Sequence, residues 1–195
     1  MSMYTIDQSR GPRRQAVEKW LFGLDLLSSD VREKTATAWT SIWASSPYER
    51  LEDMPFTISI EYRLMDHVNE VTRAGLDLAK RAQADWDIKL DNDILIPILI
   101  LHDLDKPLLY ARSNGKRTYS QLYYELPHGV VGGMLLKELG FPHVVISTVA
   151  THATNAPFHG RNVEAFVLHY ADYFACDHAL MVAGVEPFYQ KKLMK

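Results

Sequence analysis

The run Ile94 to Leu101, ILIPILIL, is the longest unbroken apolar stretch of the chain. It is far too short to cross a bilayer, which takes about 20 residues as a helix, so it must be buried in protein. A buried strand and a buried helix both fit such a run. Pro97 favours the helix, because a proline fits poorly in a central strand, and the flanking segments have helical spacing. Asp91, Asn92 and Asp93 supply N-caps for it. Pro97 lacks an N–H donor and should loosen the helix locally. The run leads directly into His102-Asp103, which puts an imidazole and a carboxylate at the end of the most apolar element.

The rest of the chain reads as helices with short connections. Residues 1–12 form a polar arm. A helix is expected from Pro12 to Leu27, with Val17, Trp20, Leu21, Leu24 and Leu27 at helical spacing, and a second from Val31 to about Ala44. Ser45 to Thr57 is a connection. A strong helix follows over 59–81, with His67 on or beside its buried stripe. Residues 107–127 form a longer connection rich in Tyr, Arg and Lys. Pro127 opens a helix that Gly140 closes, carrying His128, Val131, Gly132, Leu135 and Leu139 on one face. Pro142 opens another, where Val145, Val149 and His152 line up. Ala153 to Asn162 is a loop. The last helix, Val163 to about Leu180, is expected to turn Val163, Phe166, Val167, Tyr170 and Phe174 inward. The expectation is an all-α, single-domain helical bundle of about seven or eight helices. Residues 1–58 form an N-terminal arm and helical layer, 59–180 the core, and 181–195 a C-terminal tail.

Composition narrows the function classes. The 195 residues are 47% hydrophobic and 23% charged, ordinary for a globular domain. A net charge of −3 argues against a nucleic-acid polymer as partner but not against a small anion. The single cysteine, Cys176, excludes a disulfide framework and a cysteine-based zinc site. The polar first twenty residues predict no signal peptide, so neither a membrane partner nor export is expected and a cytoplasmic location is the default. A homo-oligomer is left open.

Four histidines and two aspartates stand out: His67, His102, Asp103, His128, His152 and Asp172. From His67 to His102 is 35 residues, from Asp103 to His128 is 25, then 24 to His152 and 20 to Asp172. Each interval is about one helix plus one connection, so the side chains come from different helices and converge as helical proteins build metal sites. Imidazole and carboxylate together suit Zn, Mn, Fe, Co or Ni. A carboxylate next to a histidine can bridge two ions while the histidine holds one. Taken singly, His67 reads more simply as a hydrogen-bonded core residue and Asp103 as a cap; the joint pattern is what points to metal.

Those residues sit in strings that resemble the HD-domain superfamily of metal-dependent phosphohydrolases: YRLMDHVNEV, ILHDLDKP, LPHGVVGGMLLKELGFP, ATHATNA and HYADYFACD, over roughly residues 59–180. The two histidines beyond the minimal set resemble the dinuclear branch of that superfamily. The resemblance implies that His67, His102, Asp103 and Asp172 hold one ion, and that Asp103 bridges to a second held by His128 and His152. It also implies that Lys106 faces the substrate. A lysine there would neutralise a phosphate or other anion, so Asp103 and Lys106 are the candidate catalytic pair.

Arg63, one helical turn before His67, either reaches the site or pairs with Asp66 or Glu70. Tyr124, in the basic and aromatic stretch ARSNGKRTYSQLYYELP, is a candidate substrate contact from a lid, as are His159 and Arg161 from the loop after His152. Asp105 reads as solvent-facing or as support for the ligands. The expected function is a metal-dependent hydrolase with a mono- or dinuclear centre that activates water, acting on a small phosphate ester or nucleotide. The alternatives are a mixed-valence di-iron oxygenase of the same superfamily, or hydrolysis or hydration of a non-phosphate bond. A non-catalytic helical module is the opposing class, and retention of all six ligand types argues against it.

Overall fold

A computed structural model describes residues 3–113, 116–153, 156 and 159–191. The architecture is all-α, with one two-stranded hairpin. Helix α1 (Pro12–Trp20) starts on Pro12 and α2 (Ser29–Ser45) follows. The long α3 (Leu64–Trp86) comes next, then α4 (Asn92–Leu101). A four-residue α5 (Lys106–Leu109) leads into strands β1 (Tyr110–Ser113) and β2 (Lys116–Tyr119) and the short α6 (Gln121–Glu125). The strands pair antiparallel, Tyr110 opposite Tyr119. Helices α7 (Val130–Glu138), α8 (His143–Thr151) and α9 (Val163–Val182) complete the bundle.

Helix α4 is the hub. Asp91 caps it by accepting the Asp93 N–H at 2.9 Å, and it continues as one helix through Pro97. Leu95, Ile96, Ile98, Leu99, Ile100 and Leu101 are all at most 1% exposed; burial of each contributes roughly 1.5–3 kcal/mol. Around α4 pack α2, α3, α8 and α9. Trp39 of α2 donates its indole N–H to the Ile100 carbonyl at 3.1 Å and meets Trp20 edge-on at 4.8 Å. Gly75 lets α3 approach closely, since a Cβ there would lie 2.5 Å from Leu99 Cδ2.

Several boundaries differ from the sequence expectation. The first helix ends at Trp20, because Gly23 takes a left-handed turn at φ 88° and the chain continues as a 3₁₀ turn over Leu24–Leu26. The described part of the N-terminal arm is pinned along α2: the Thr5 and Asp7 N–H groups donate to Ser45 and Ser41, each at 2.9 Å, and Tyr4 is buried. Helix α3 starts at Leu64, not 59, because Pro55 and Arg63 pair as an isolated bridge and Phe56 N–H bonds the Tyr62 carbonyl. The connection over 107–127 contains α5, the hairpin and α6. His128 lies in the turn before α7 rather than on it. Of the loop expected over 153–162, residues 154–155 and 157–158 lie outside the described residues.

Helix α9 is rotated from its expected face. Phe166, Tyr170 and Phe174 are exposed, whereas Val167, Leu168, Ala171, Ala175 and Ala179 are buried. The helix is apolar nearly all round, so periodicity could not choose a face. The alanine row lets α9 pack against α3 and α4, and Asp172 follows Ala171 into that seam.

Candidate metal centre

Two of the histidines reach the site by the same local device. His102 is the C-cap of α4 and His152 the C-cap of α8. Each donates its Nδ1–H to the carbonyl three residues back, Leu99 and Val149 respectively, at 2.8 Å. The last carbonyls of a helix have no intrahelical partner, so each imidazole satisfies one of them. A carbonyl can only accept, so Nδ1 carries the proton and a neutral ring leaves Nε2 as a bare lone pair. His128 is set by a carboxylate instead: its Nδ1–H donates to Asp105 Oδ1 at 2.7 Å. Asp105 is fully buried, and its Oδ2 accepts from Gly129 N–H at 2.8 Å and Gly132 N–H at 3.4 Å. Gly129 is needed there, at φ 93° and with a Cβ position 2.5 Å from the Val149 carbonyl oxygen. His67, in the first turn of α3, packs against Phe56 with ring centroids 4.1 Å apart and planes tilted by 34°, and among the described residues its buried Nδ1 has no hydrogen-bond partner.

Asp103 sits between these rings. Its Oδ2 lies 3.3 Å from His67 Nε2 and 3.4 Å from His102 Nε2. Its Oδ1 lies 2.9 Å from His128 Nε2 and 3.7 Å from His152 Nε2. Asp172 Oδ1 adds a contact of 3.1 Å to His67 Nε2. The donor atoms thus fall into two groups, His67, His102 and Asp172 in one and Asp103, His128 and His152 in the other. Ligands about 2.1 Å from one metal stand about 3.0–3.4 Å apart at neighbouring positions, and most of these separations fall in or near that range. Bare imidazole nitrogens facing carboxylate oxygens repel unless positive charge lies between them. The donor set therefore fits divalent ions.

The electrostatics make the same demand. Asp103, Asp105 and Asp172 converge in the interior with Lys106 as the adjacent ammonium, 2.6 Å from Asp103 Oδ2 and 4.0 Å over the Phe56 ring. Burial opposes the charge of Asp103, yet Lys106 and the histidines hold its carboxyl well below the usual range. Burial likewise opposes Asp172, and His67 and His102 pull it down. Burial disfavours protonation of His128, but Asp105 and Asp103 raise it to about 9. His67 is raised against its burial by Asp103 and Asp172. His152 is lowered by burial and by the neighbouring His128 and His102. Lys106 is raised by Asp103 despite its burial. The buried carboxylates thus favour positive charge on His67, His128 and Lys106, the sign of charge a metal ion would supply.

Two cavities open on the cluster. One, of about 440 Å³, is lined by Asp103, Lys106, His128, His152 and Asp172 together with Tyr110 and Tyr123. The other, of about 390 Å³, shares His152 and Asp172 and adds His159, Arg161, Asn162 and His169. The structure thus brings together His67, His102, Asp103, Lys106, His128, His152 and Asp172, with His159 and Arg161 at a neighbouring wall. Arg63 and Tyr124 are not brought there. Arg63 forms a two-pronged pair with Asp66 and lines a separate charged cleft with Glu61, Arg112 and Arg117. Tyr124 is 73% exposed; its neighbour Tyr123 lines the cavity instead. Sequence reasoning left Asp105 undecided, placed Tyr123 in the aromatic lid stretch without singling it out, and passed over Tyr110 and Phe56. No spacing in the sequence marks Asp105, whose role depends on where the His128 turn lands.

Over 127 residues the chain is 28% identical to the dihydroneopterin 2',3'-cyclic phosphate phosphodiesterase of Methanocaldococcus jannaschii, a stretch covering 63% of this chain and 51% of that one. The chain therefore spans about half the length of that relative. No protein-family model and no solved structure matches the chain. No helix among the described residues is long and apolar enough to cross a membrane.

Proposed function

We propose that this chain is a metal-dependent phosphohydrolase of the HD-domain type, acting on a small phosphate ester, with a cyclic phosphodiester as the leading substrate class. The observation that carries the reading is the placement of Asp103, one carboxylate oxygen toward each histidine group. His67, His102 and Asp172 with Asp103 Oδ2 would hold one ion, and His128 and His152 with Asp103 Oδ1 a second. Similarity to a cyclic phosphate phosphodiesterase supports the phosphoester class.

When bound, divalent ions supply the charge that lowers the pKa of water and neutralises phosphoryl oxygens. The chain's own groups do the rest. The carbonyls of Leu99 and Val149 and the Asp105 carboxylate orient three imidazoles, as supporting partners of metal ligands do. Lys106 opens onto the larger cavity with its ammonium held against Asp103, where it neutralises an anionic oxygen of the substrate. Arg161 and His159 offer further positive or hydrogen-bonding groups from the second cavity. Burial of His67, His102 and Asp103 keeps bulk water from these contacts and strengthens them.

The test is elemental analysis of anaerobically purified protein, followed by assays on cyclic phosphodiesters and phosphate monoesters. We expect about two Mn, Fe, Zn, Ni or Co ions per chain and hydrolysis that a chelator abolishes and added metal restores. Absence of metal even after reconstitution would overturn the proposal. Two irons with a mixed-valence EPR signal and oxygen-dependent turnover would replace it with the oxygenase reading.

A further inference from the structure

We infer that the larger cavity accepts a phosphate ester carrying a flat aromatic ring, and that Tyr123 and Phe188 are the residues that select it. The inference rests on the phosphohydrolase reading and names the part of the substrate away from the reacting phosphate.

Aromatic side chains line this cavity from floor to mouth. Phe56 and Tyr110 are 7% and 8% exposed, while Tyr123 and Phe188 are 39% and 40% exposed. Phe56 lies beneath the Lys106 ammonium, so the floor is where the charged groups are. Tyr110, Tyr119 and Tyr123 form a chain of rings out of the floor, with centroids 6.0 Å apart and then 3.8 Å apart. Strand pairing sets the first step, because Tyr110 and Tyr119 are register partners. Stacking at an interplanar angle of 17° sets the second and fixes the Tyr123 ring.

Phe188 comes from beyond α9, and its place is held as firmly. Gly184 reverses the chain at φ 68°, and Val185 N–H bonds the Leu180 carbonyl at 2.9 Å. Asp177 then accepts the N–H groups of Phe188 and Tyr189, at 2.5 and 3.3 Å. Tyr173 packs edge-on to the ring at 5.5 Å. Two large rings of the cavity lining, each fixed by its own neighbours and Phe188 also carrying the Lys191 ammonium 4.4 Å over its ring, remain partly exposed. Such preorganised apolar surface beside a few convergent polar groups is what a small-molecule site presents. A planar π-system gains most from it, because offset and edge-on ring contacts add to the burial of area.

The matched probes are adenosine 2',3'-cyclic phosphate and methyl riboside 2',3'-cyclic phosphate, which share the ester and the sugar and differ in the base. The metal-loaded protein should show at least a tenfold higher kcat/KM for the adenosine ester, carried by KM. Tyr123→Ala and Phe188→Ala should each cut that selectivity ratio severalfold, while Tyr189→Ala, outside the cavity, keeps it. Equal kcat/KM for the two esters, or a ratio that both cavity variants preserve, would overturn the inference. If neither ester is cleaved, that counts against the cyclic-phosphodiester reading and not against the subsite. Calorimetric binding of adenosine against methyl riboside then decides: adenosine binding that Phe188→Ala weakens supports the aromatic subsite, and no binding of adenosine overturns it.

Discussion

Asp105 holds His128 by its far nitrogen, Oδ1 to Nδ1 at 2.7 Å, and anchors itself on the backbone of the same turn through Gly129 and Gly132. His128 is the one histidine of the cluster carried by a turn before its helix rather than by a helix or helix end, so it depends most on this support. Asp105→Asn should weaken the ion shared with His128 and His152 by about 10–100-fold and leave the other ion bound. Metal titration followed by elemental analysis reads this directly; retention of both ions at wild-type affinity would remove Asp105 from a positioning role.

Asp103→Ala removes the group common to both halves of the cluster. Bound metal should fall at both positions and hydrolysis should be abolished. Full metal occupancy with normal turnover in this variant would sink the assignment of the site.

Lys106→Ala should act on the substrate more than on the metal. An anionic ester should show KM raised by about tenfold or more, the loss expected for a charge-assisted contact. Steady-state kinetics on a charged ester checks this, and unchanged KM and kcat would place Lys106 outside the site.

Without metal, the protein should lose stability as pH rises from 6.5 toward 9. His128 is raised to about 9 in the folded chain by Asp105 and Asp103, against their opponent, burial. A raised pKa contributes stability that is complete below the unfolded value of about 6.5 and is lost as pH passes the folded value; the span is worth on the order of 3 kcal/mol. His67 is raised too and acts in the same sense. Thermal melts of chelator-treated protein at pH 6 and pH 9 measure the effect. Equal melting temperatures at the two values would show that His128 does not carry the proton.

Gly129→Ala should destabilise the fold as well as the centre. Its left-handed φ and the 2.5 Å approach of a Cβ to the Val149 carbonyl oxygen leave no room to adjust. A loss of roughly 1–3 kcal/mol follows from the overpacking alone, measurable by denaturant unfolding.

Much of this arrangement was legible in the residue order. The apolar run ending in His102-Asp103 declares a buried helix whose end carries polar groups, and the spacing of His67, His128, His152 and Asp172 separates them onto different elements. What stayed hidden depends on contacts distant in sequence. Helix α9 offers an aromatic row and an alanine row, and only the closeness of α3 and α4 selects the alanines. Arg63 had two partners in reach of its own helix, and Asp66 takes it. Tyr123 and Tyr124 are adjacent in one aromatic cluster, and the turn leading into α6 decides which faces the cavity. Phe188 follows a reversal at Gly184 that no periodic pattern announces.

His102 and His152 end helices whose inner faces are the hydrophobic interior itself. Their imidazole positions are thus read off the packing of Leu99, Leu101 and Val149, with no adjustable loop in between. The bundle serves these two side chains as a ruler. Repacking α4 with a smaller or larger side chain near Leu99 would change that ruler's graduation, so a substitution far from any substrate should register as altered metal preference before it registers as unfolding.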